Sequence, residues 1–576
     1  MLIFFCNFAA QNNMRMKRLL QLSVLLILAM SASARSIDYS AAKKMAVTFL
    51  SNEKGKSIEV KDVSLPSEVK NRLSINSVNQ AAYYLFNSED DKGFVIISAD
   101  DQVLPILGYS ATSSFKADSE LPPALQDYLT FCTEYINDVR EGLTQSNPQP
   151  YRPLLTATPI VEPLCSAEWG QGRPYNNLCP MDKKYNVQCP VGCVATAMAQ
   201  IMYKWKWPES GRGSVSYMSN AGPVKINYAE SIYEWDKMTD RGNGNEEASA
   251  AVSKLCYDLA VSLRMMFDAY GSGSYAEYAY RSFVTNLYYC GSKLKLEYRD
   301  CIADTERWNR HIKEDLDAGR PLLCCASDAG GAGGHAFVLD GYDADFNIHI
   351  NWGWDGEYNG YFPLTTLDIE GLYEFSQMQH IIRGIYPDYE KNDLTRQQMQ
   401  VYMEEAPTVN KKQIALTDSF TVTAHHFYNM TVQKEINVMV GLCNMDGEVV
   451  EELCTITNNL DDFMLEYGTG YSYYDFDVIF SKDSYPEEYY TIRIFFQEKK
   501  KTTWVLPMVV GGEHLNNIYV QIKDGKATFG VRPTAIESIV MDKQKADNEI
   551  YTLGGQKIAK PQNGLNIING KKVFVR

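Results

Sequence analysis

The chain has 576 residues, of which 45% are hydrophobic and 22% are charged, a composition typical of globular protein and not of disorder. Its formal net charge is −16, and it contains no basic block of the kind that follows a nucleic-acid backbone, so a DNA or RNA partner is not expected. The length exceeds what one hydrophobic core ordinarily supports, which predicts several domains.

The N-terminus has the three-part pattern of a secretory signal. A basic start precedes an apolar run at 19–30, and small residues follow it up to Ala34. This pattern predicts a signal peptide over 1–34, with translation starting at Met14 or Met16. The apolar run is too short for a membrane span, so the mature protein is expected to be secreted.

Residues 35–156 have the pattern of a small α+β unit. The stretch SAAKKMAVTFLS predicts an amphipathic helix, and AAYYLFN and GFVIISAD predict two strands joined by the polar turn SEDDKG. A second helix is predicted over LPPALQDYLTFCTEYINDVREGL. The unit ends in TQSNPQPYRP, a proline-rich and polar stretch that indicates a linker.

The C-terminal part of the chain changes to alternating apolar and polar positions. Stretches such as EINVMVGLC and YYTIRIFF are separated by charged turns, which predicts an immunoglobulin-like β-sandwich over 389–530. Residues 531–576 contain short strands and glycine turns. Their end, GLNIINGKKVFVR, resembles the C-terminal sorting segments of some exported Gram-negative proteins, which implies association with the cell surface or outer membrane.

The central region, 157–388, contains a candidate nucleophile. Gly192 permits a tight turn before Cys193, and the helix-forming stretch CVATAMAQIMYKWKW follows until Pro208. A thiol in the first turn of a helix faces unpaired N–H groups and the positive end of the helix dipole, which predicts a lowered pKa. Cys189 lies outside this helix and has no such advantage.

A thiolate nucleophile needs a general base, and His335 is the best-placed histidine. It follows the glycine-rich stretch SDAGGAGG and opens the apolar strand HAFVLDGYD, so it is predicted to be both fixed and accessible. Asn351 could accept the imidazole N–H, and Trp352 follows it directly. Cys193 precedes His335 by 142 residues and Asn351 by 158. Papain-like enzymes place these partners roughly 130–150 residues downstream, so the asparagine falls slightly beyond that range.

The other cysteines leave two alternatives open. Cys179, Cys189 and Cys193 could be zinc ligands, but they form no Cys-x-x-Cys pair and have no evident fourth ligand. Thirteen cysteines are sparse for an exported chain of this length, and their spacing specifies no disulfide pairing.

The stretches CPVGCVATAMAQIMYKWKWP, GGHAFVLDGYD and INWGWDGEYNGYF resemble the streptopain family of papain-fold cysteine peptidases, and EWGQGRPYNNLCP resembles the W-x-Q segment of that family. The resemblance implies an α+β fold with Cys193 as nucleophile and His335 as general base. It implies Gln171 as the oxyanion-hole side chain, although Gln188 lies closer to Cys193 in sequence. Asn351 would orient the histidine, or Trp352 would pack over it and share that task.

The same resemblance extends to the substrate cleft and to the N-terminal unit. AYGSGSY matches the substrate-wall loop of the family, so Ser272 and Gly334 are expected to offer backbone contacts to a bound peptide. The unit at 35–156, including YYLFN, GFVIISADD and ILGYS, resembles the inhibitory propeptide of the family.

We therefore expect a secreted cysteine endopeptidase made as a self-processing zymogen. Its partners would be protein or peptide substrates and its own propeptide, with no cofactor and no metal. A transglutaminase-type acyl transferase is the main enzymatic alternative, although its third catalytic residue is usually an aspartate. A surface-binding protein with a vestigial peptidase domain is the other alternative, but retention of Cys193, His335, Asn351 and Gln171 together disfavours it.

Overall fold

The computed structural model describes residues 36–63, 81–116, 121–144, 159–302, 304–327, 334–363, 379–393, 399–430, 436–457, 470–486, 488–499, 501–533, 550–552, 557–558, 564–568 and 571–575. The predicted signal peptide lies outside these ranges, as does the predicted linker apart from Thr144. The chain divides into two compact units, Met1–Arg299 with Asp304–Gln397, and Asp300–Ala303 with Gln398–Arg576. Among the described residues no helix is long and apolar enough to cross a membrane.

The described α-helices belong to the first unit. They are α1 Tyr39–Lys54, α2 Pro123–Glu141, α3 Cys193–Trp205, α4 Glu246–Ser262, α5 Ala276–Thr285 and α6 Thr305–Asp317. The predicted helices of the N-terminal region are confirmed as α1 and α2. Local signals set their ends, because the Asp38 side chain caps α1 and Gly55 and Gly142 adopt left-handed conformations after α1 and α2.

The strands of the first unit form one large antiparallel sheet and two small hairpins. The large sheet contains β1 Val60–Asp62, β2 Tyr83–Ser88, β3 Phe94–Ser98, β4 Ile106–Ser110, β5 Pro159–Val161, β10 Lys295–Tyr298, β11 Leu322–Ser327, β12 Gly334–Asp343, β13 Ile348–Asn351, β14 Gly360–Phe362 and β15 His380–Arg383. Its order is β1-β2-β3-β4-β14-β13-β12-β11-β15-β10, with β5 on β12. The hairpins are β6 Met181–Asp182 with β7 Val187–Gln188, and β8 Ser214–Ser219 with β9 Gly222–Asn227.

The N-terminal region joins the central region through an edge-strand pairing. Strand β4 pairs with β14 at Tyr109 and Tyr361, whose rings stack with centroids 5.1 Å apart. The Tyr109 hydroxyl donates to the buried carboxylate of Asp343 at 2.8 Å. Gly108 must lack a side chain here, because a Cβ built on it would lie 2.8 Å from the ring of Phe362. The pairing and the close approach define a specific docking surface for the N-terminal region.

Helix α3 is largely buried, since all of its residues from 194 to 202 are buried. Gly192 precedes it with φ of 93°, a conformation that favours glycine. A Cβ there would meet the Met265 side chain at 2.6 Å and the Ser272 carbonyl oxygen at 2.9 Å. The glycine therefore allows the chain to enter the helix while the 265–272 segment packs against its start.

The second unit contains two facing sheets. One contains β16 Val401–Met403, β17 Thr408–Val409, β19 Phe420–Asn429, β22 Gly470–Val478 and β24 Met508–Val509, and the other contains β18 Gln413–Ala415, β20 Ile436–Cys443, β21 Val449–Ile456, β23 Tyr489–Glu498, β25 Ile518–Lys523 and β26 Lys526–Phe529. Both sheets contribute to one apolar core, since Val422 and Phe427 from the first cluster with Val438 and Ile494 from the second. A further sheet contains β27 Ile550–Thr552, β28 Lys557–Ile558, β29 Gly564–Ile568 and β30 Lys571–Val575.

Candidate active site

Cys193 is the first residue of α3 and is half-buried. The backbone N–H groups of Ala336, Val194 and Cys193 itself lie near its sulfur. These donors favour the thiolate, but burial opposes them more strongly and raises the pKa of the Cys193 thiol above its usual value. The expectation of a lowered pKa is therefore wrong for this state of the protein, because removal from water outweighs the helix terminus.

His335 lies at the start of β12, with only 4% of its surface exposed. Its Nε2 donates to the backbone carbonyl oxygen of Trp352 at 2.8 Å, which leaves Nδ1 as the free ring nitrogen. Burial lowers the pKa of the imidazole to about 4. Ala336, whose amide faces the Cys193 sulfur, directly follows His335, so α3 and β12 bring the two predicted catalytic residues to the same place.

Asn351 is not bonded to the histidine in this structure. Its Oδ1 accepts from Gln200 Nε2 at 3.0 Å and from the Gly353 amide at 3.1 Å, and its Nδ2 donates to the Ala167 carbonyl at 2.7 Å. The asparagine therefore fixes the turn that carries the Trp352 carbonyl. Gln200 is a fully buried residue of α3, and its bond to Asn351 connects this turn to the nucleophile helix. This role for Gln200 was not predicted from the sequence.

The aromatic ring beside the histidine belongs to Trp354. Its centroid lies 5.5 Å from that of His335 in an edge-to-face arrangement. The Trp352 ring instead packs on Phe337 and Phe362, with its Nε1 donating to the Tyr358 carbonyl at 3.0 Å. The expectation that the Trp352 ring packs over the histidine is corrected: Trp352 contacts His335 through its carbonyl group, because its indole fills the interior.

The structure distinguishes the two candidate oxyanion glutamines by their surroundings. The Gln171 carbonyl accepts from the Val191 amide at 3.0 Å, and the neighbouring Gly170 carbonyl accepts from the Thr196 hydroxyl of α3 at 3.4 Å. Gln171 therefore lies beside the start of the nucleophile helix. The Gln188 side chain instead donates to the carbonyls of Asn177 and Cys179, in the segment just before the β6–β7 hairpin.

The two residues predicted to contact substrate lie on different elements, Ser272 in the loop between Met266 and Gly273 and Gly334 at the start of β12. Ser272 is buried, with its carbonyl oxygen directed at Gly192, and its hydroxyl accepts from the Asp268 amide at 3.4 Å. Gly334 is exposed at the first position of β12, next to His335. Ser272 therefore lies beside the residue that precedes Cys193, and Gly334 directly precedes His335.

The cysteines in the described ranges form neither a disulfide nor a metal site. Every cysteine in the described ranges is a free thiol. Across the same ranges no group of three or more His, Cys, Asp or Glu side chains is arranged to hold a metal ion, and these ranges include Cys179, Cys189 and Cys193.

Comparisons with known proteins identify two family regions in the chain. The Peptidase C10 family matches residues 169–362, and the Spi protease inhibitor family matches residues 34–136. The thiol protease/hemagglutinin PrtT of Porphyromonas gingivalis is 32% identical over 333 residues, which is 54% of this chain and 37% of that protein. Streptopain of Streptococcus pyogenes is 26% identical over 374 residues, which is 60% of this chain and 91% of that protein.

Two solved structures from Prevotella intermedia also align with the chain. A fragment of prointerpain A is 29% identical with a TM-score of 0.46, covering 54% of this chain and 98% of the fragment. The active interpain A cysteine protease is 31% identical with a TM-score of 0.36, covering 39% of this chain and 95% of that structure.

A thiol at a helix start, a strand histidine and an attached inhibitor-like unit together define a cysteine-type peptidase. The chain is a streptopain-like cysteine-type peptidase, with a Peptidase C10 family region at 169–362 and a region at 34–136 that matches the Spi protease inhibitor family. The chain spans about a third of the length of the Porphyromonas relative.

Proposed function

We propose that this protein is an exported endopeptidase that is made as a self-processing zymogen and hydrolyses peptide bonds through a Cys193 acyl-enzyme. The observation that carries the proposal is the contact between the Cys193 sulfur and the Ala336 amide, one residue from His335. The signal pattern over 1–34 supports export.

In the proposed reaction, His335 takes the Cys193 proton and the thiolate attacks the substrate carbonyl carbon. The oxyanion receives hydrogen bonds from the Cys193 backbone N–H and the Gln171 side chain. The imidazolium then protonates the leaving amine as the C–N bond breaks, which gives a thioester. Water, deprotonated by His335, hydrolyses the thioester and restores the thiol. The Trp352 carbonyl holds Nε2–H throughout, which keeps Nδ1 available for the proton.

The experiment that tests this function is digestion of a reduced and alkylated protein by the chain from Arg35 onward, with the products sequenced. Internal cleavages giving new amino termini are expected, because an endopeptidase needs no chain end. Stepwise release of terminal residues, or transfer of an added amine without hydrolysis, would contradict the endopeptidase proposal.

The N-terminal region is proposed to act as the inhibitor within the zymogen. It is anchored at the β4–β14 pairing, and Ser113 of this region donates to the Gly356 carbonyl at 2.8 Å in the turn that follows Trp352. Phe115 also packs on Tyr358, with centroids 5.1 Å apart. These contacts are made to the segment that follows Trp352, whose carbonyl group accepts from His335. The propeptide is therefore physically connected to the catalytic histidine.

The full-length chain is expected to hold Cys193 and His335 as a neutral pair. The raised pKa keeps the thiol protonated at pH 7, and an imidazole with a pKa of about 4 stays neutral there. Alkylation of Cys193 by iodoacetamide should therefore increase only as pH rises through the alkaline range, since the thiolate is the reacting form. After processing, opening of the site should allow a thiolate–imidazolium pair and shift the midpoint to lower pH.

The pH midpoint of Cys193 alkylation is measured by site-resolved mass spectrometry after short reactions, on chains whose intact mass shows no cleavage. The midpoint reports the pKa of the thiol and not how easily the reagent reaches it. The denatured chain provides the reference. A full-length chain whose Cys193 reacts with a midpoint below that of the denatured chain would contradict the neutral pair.

The tail at 531–576 is proposed as a sorting segment for the cell surface or outer membrane, on the resemblance of GLNIINGKKVFVR. Cell fractionation after removal of this segment tests the assignment, and an unchanged distribution would rule it out.

A further inference from the structure

Two neighbouring loops beside the active site present large apolar side chains to solvent. Tyr185, at the turn of the β6–β7 hairpin, is 42% exposed. Tyr270, in the loop between Met266 and Gly273, is 81% exposed. Their rings meet edge to face with centroids 4.9 Å apart. We call these two residues the tyrosine pair.

The tyrosine pair is held in place by its own loops. The Asp182 carboxylate accepts from the Tyr185 amide at 3.0 Å, and the Asp268 carboxylate accepts from the Tyr270 amide at 3.0 Å. Met266 and Gly273 form a β-bridge that closes the second loop. Within the described part of the chain, neither tyrosine hydroxyl makes a hydrogen bond. The fixed backbones and free hydroxyls leave both rings ready to contact another molecule.

The tyrosine pair is continuous with the catalytic site. Tyr270 lies two residues before Ser272, whose carbonyl oxygen approaches Gly192 just before the nucleophile. A Cβ built on Gly271 or Gly273 would meet no atom within 4 Å, so the space beside this loop is open. An extended polypeptide advances about 3.3 Å per residue, so the pair is expected to meet a substrate residue beyond those that adjoin the cleaved bond.

We propose that Tyr185 and Tyr270 form a secondary substrate site that binds an apolar or aromatic side chain of an extended polypeptide, beyond the residues adjoining the cleaved bond. Lys184 covers the Tyr185 ring with its ammonium 4.7 Å from the centroid, so the exposed surface combines aromatic faces with one cation. Such a surface suits unfolded polypeptide, because tyrosine supplies large contact area at low entropic cost. This inference rests on the proposed peptidase activity and adds a requirement for substrate length.

The test compares two fluorogenic peptides with the same cleavable core, one ending close to the cleaved bond and one extended on both sides by residues that include phenylalanine. The self-processed full chain is compared with the Tyr185→Ala/Tyr270→Ala double variant. We expect the double variant to raise KM for the extended peptide about 10-fold with kcat nearly unchanged, and to leave the short peptide unaffected. The Tyr185→Phe/Tyr270→Phe variant should retain most of the low KM, because the rings remain.

The matched control is Tyr473→Ala, which removes a tyrosine that is 68% exposed in the second unit. Equal KM changes for both peptides, or no advantage of the extended peptide in the parent, would overturn the proposal. Analytical ultracentrifugation tests whether the pair instead binds a second copy of this chain. If the double variant loses a self-association that the parent shows, the proposal is also overturned. Absence of short-peptide hydrolysis by the parent would instead overturn the proposed function itself.

Discussion

Replacement of Cys193 by alanine is expected to abolish self-processing and to lower peptide hydrolysis by roughly 10⁴-fold or more. The reason is that every covalent step of the proposed reaction passes through the Cys193 sulfur. The measurement is a time course of intact mass for the chain from Arg35 onward, under reducing conditions near neutral pH. The parent should shorten within 145–158, and the Cys193→Ala chain should stay whole.

Two further variants make this result specific. His335→Ala should give a loss of similar size, because nucleophile and base act as one unit and their effects do not add. Cys290→Ala, which removes another partly exposed thiol in the first unit, should process at the parental rate. Cleavage of the Cys193→Ala chain at the parental rate would refute the assignment of the nucleophile. If parent and variant both stay whole, activation requires another protease, and short-peptide hydrolysis after added protease decides the role of Cys193.

Replacement of Gln171 by alanine is expected to lower kcat by about 10²–10³-fold with little change in KM. A donor to the oxyanion acts mainly when negative charge develops on the substrate oxygen, so its loss affects the transition state more than binding. Steady-state kinetics on a short peptide measure the division between kcat and KM.

Gln188→Ala is the matched control, since the Gln188 side chain donates to the backbone carbonyls of Asn177 and Cys179. It should leave kcat within about 3-fold of the parent, in the range of a surface substitution. A larger loss of kcat for Gln188→Ala than for Gln171→Ala would reverse the assignment of the oxyanion glutamine.

Local sequence patterns were sufficient for the elements that carry the catalytic pair. Gly192 followed by an uninterrupted run of helix formers predicts α3, and the glycine-rich stretch before an apolar run predicts β12. Both signals depend on residues close together in sequence, and the structure confirms both elements. The strands β20 and β23 of the second unit were predictable for the same reason, from alternating apolar positions.

Long-range contacts decided how the site is held together. The Gln200–Asn351 bond joins residues 151 positions apart, so no local periodicity could reveal it. That bond turns Asn351 toward the interior and leaves the Trp352 carbonyl to hold His335. The tyrosine pair likewise arises because two separate loops meet, although each tyrosine is ordinary in its own segment.

By itself, the sequence determined the residue types for a thiol peptidase and the order of the elements that carry them, because helix and strand formation respond to neighbouring residues. Only the tertiary structure decided the ionisation of the catalytic pair. The helix start favours a Cys193 thiolate, but burial raises the pKa of that thiol and lowers the pKa of His335 to about 4. Burial is set by how distant segments pack around a charge, and the cost of removing that charge from water exceeded the local stabilisation.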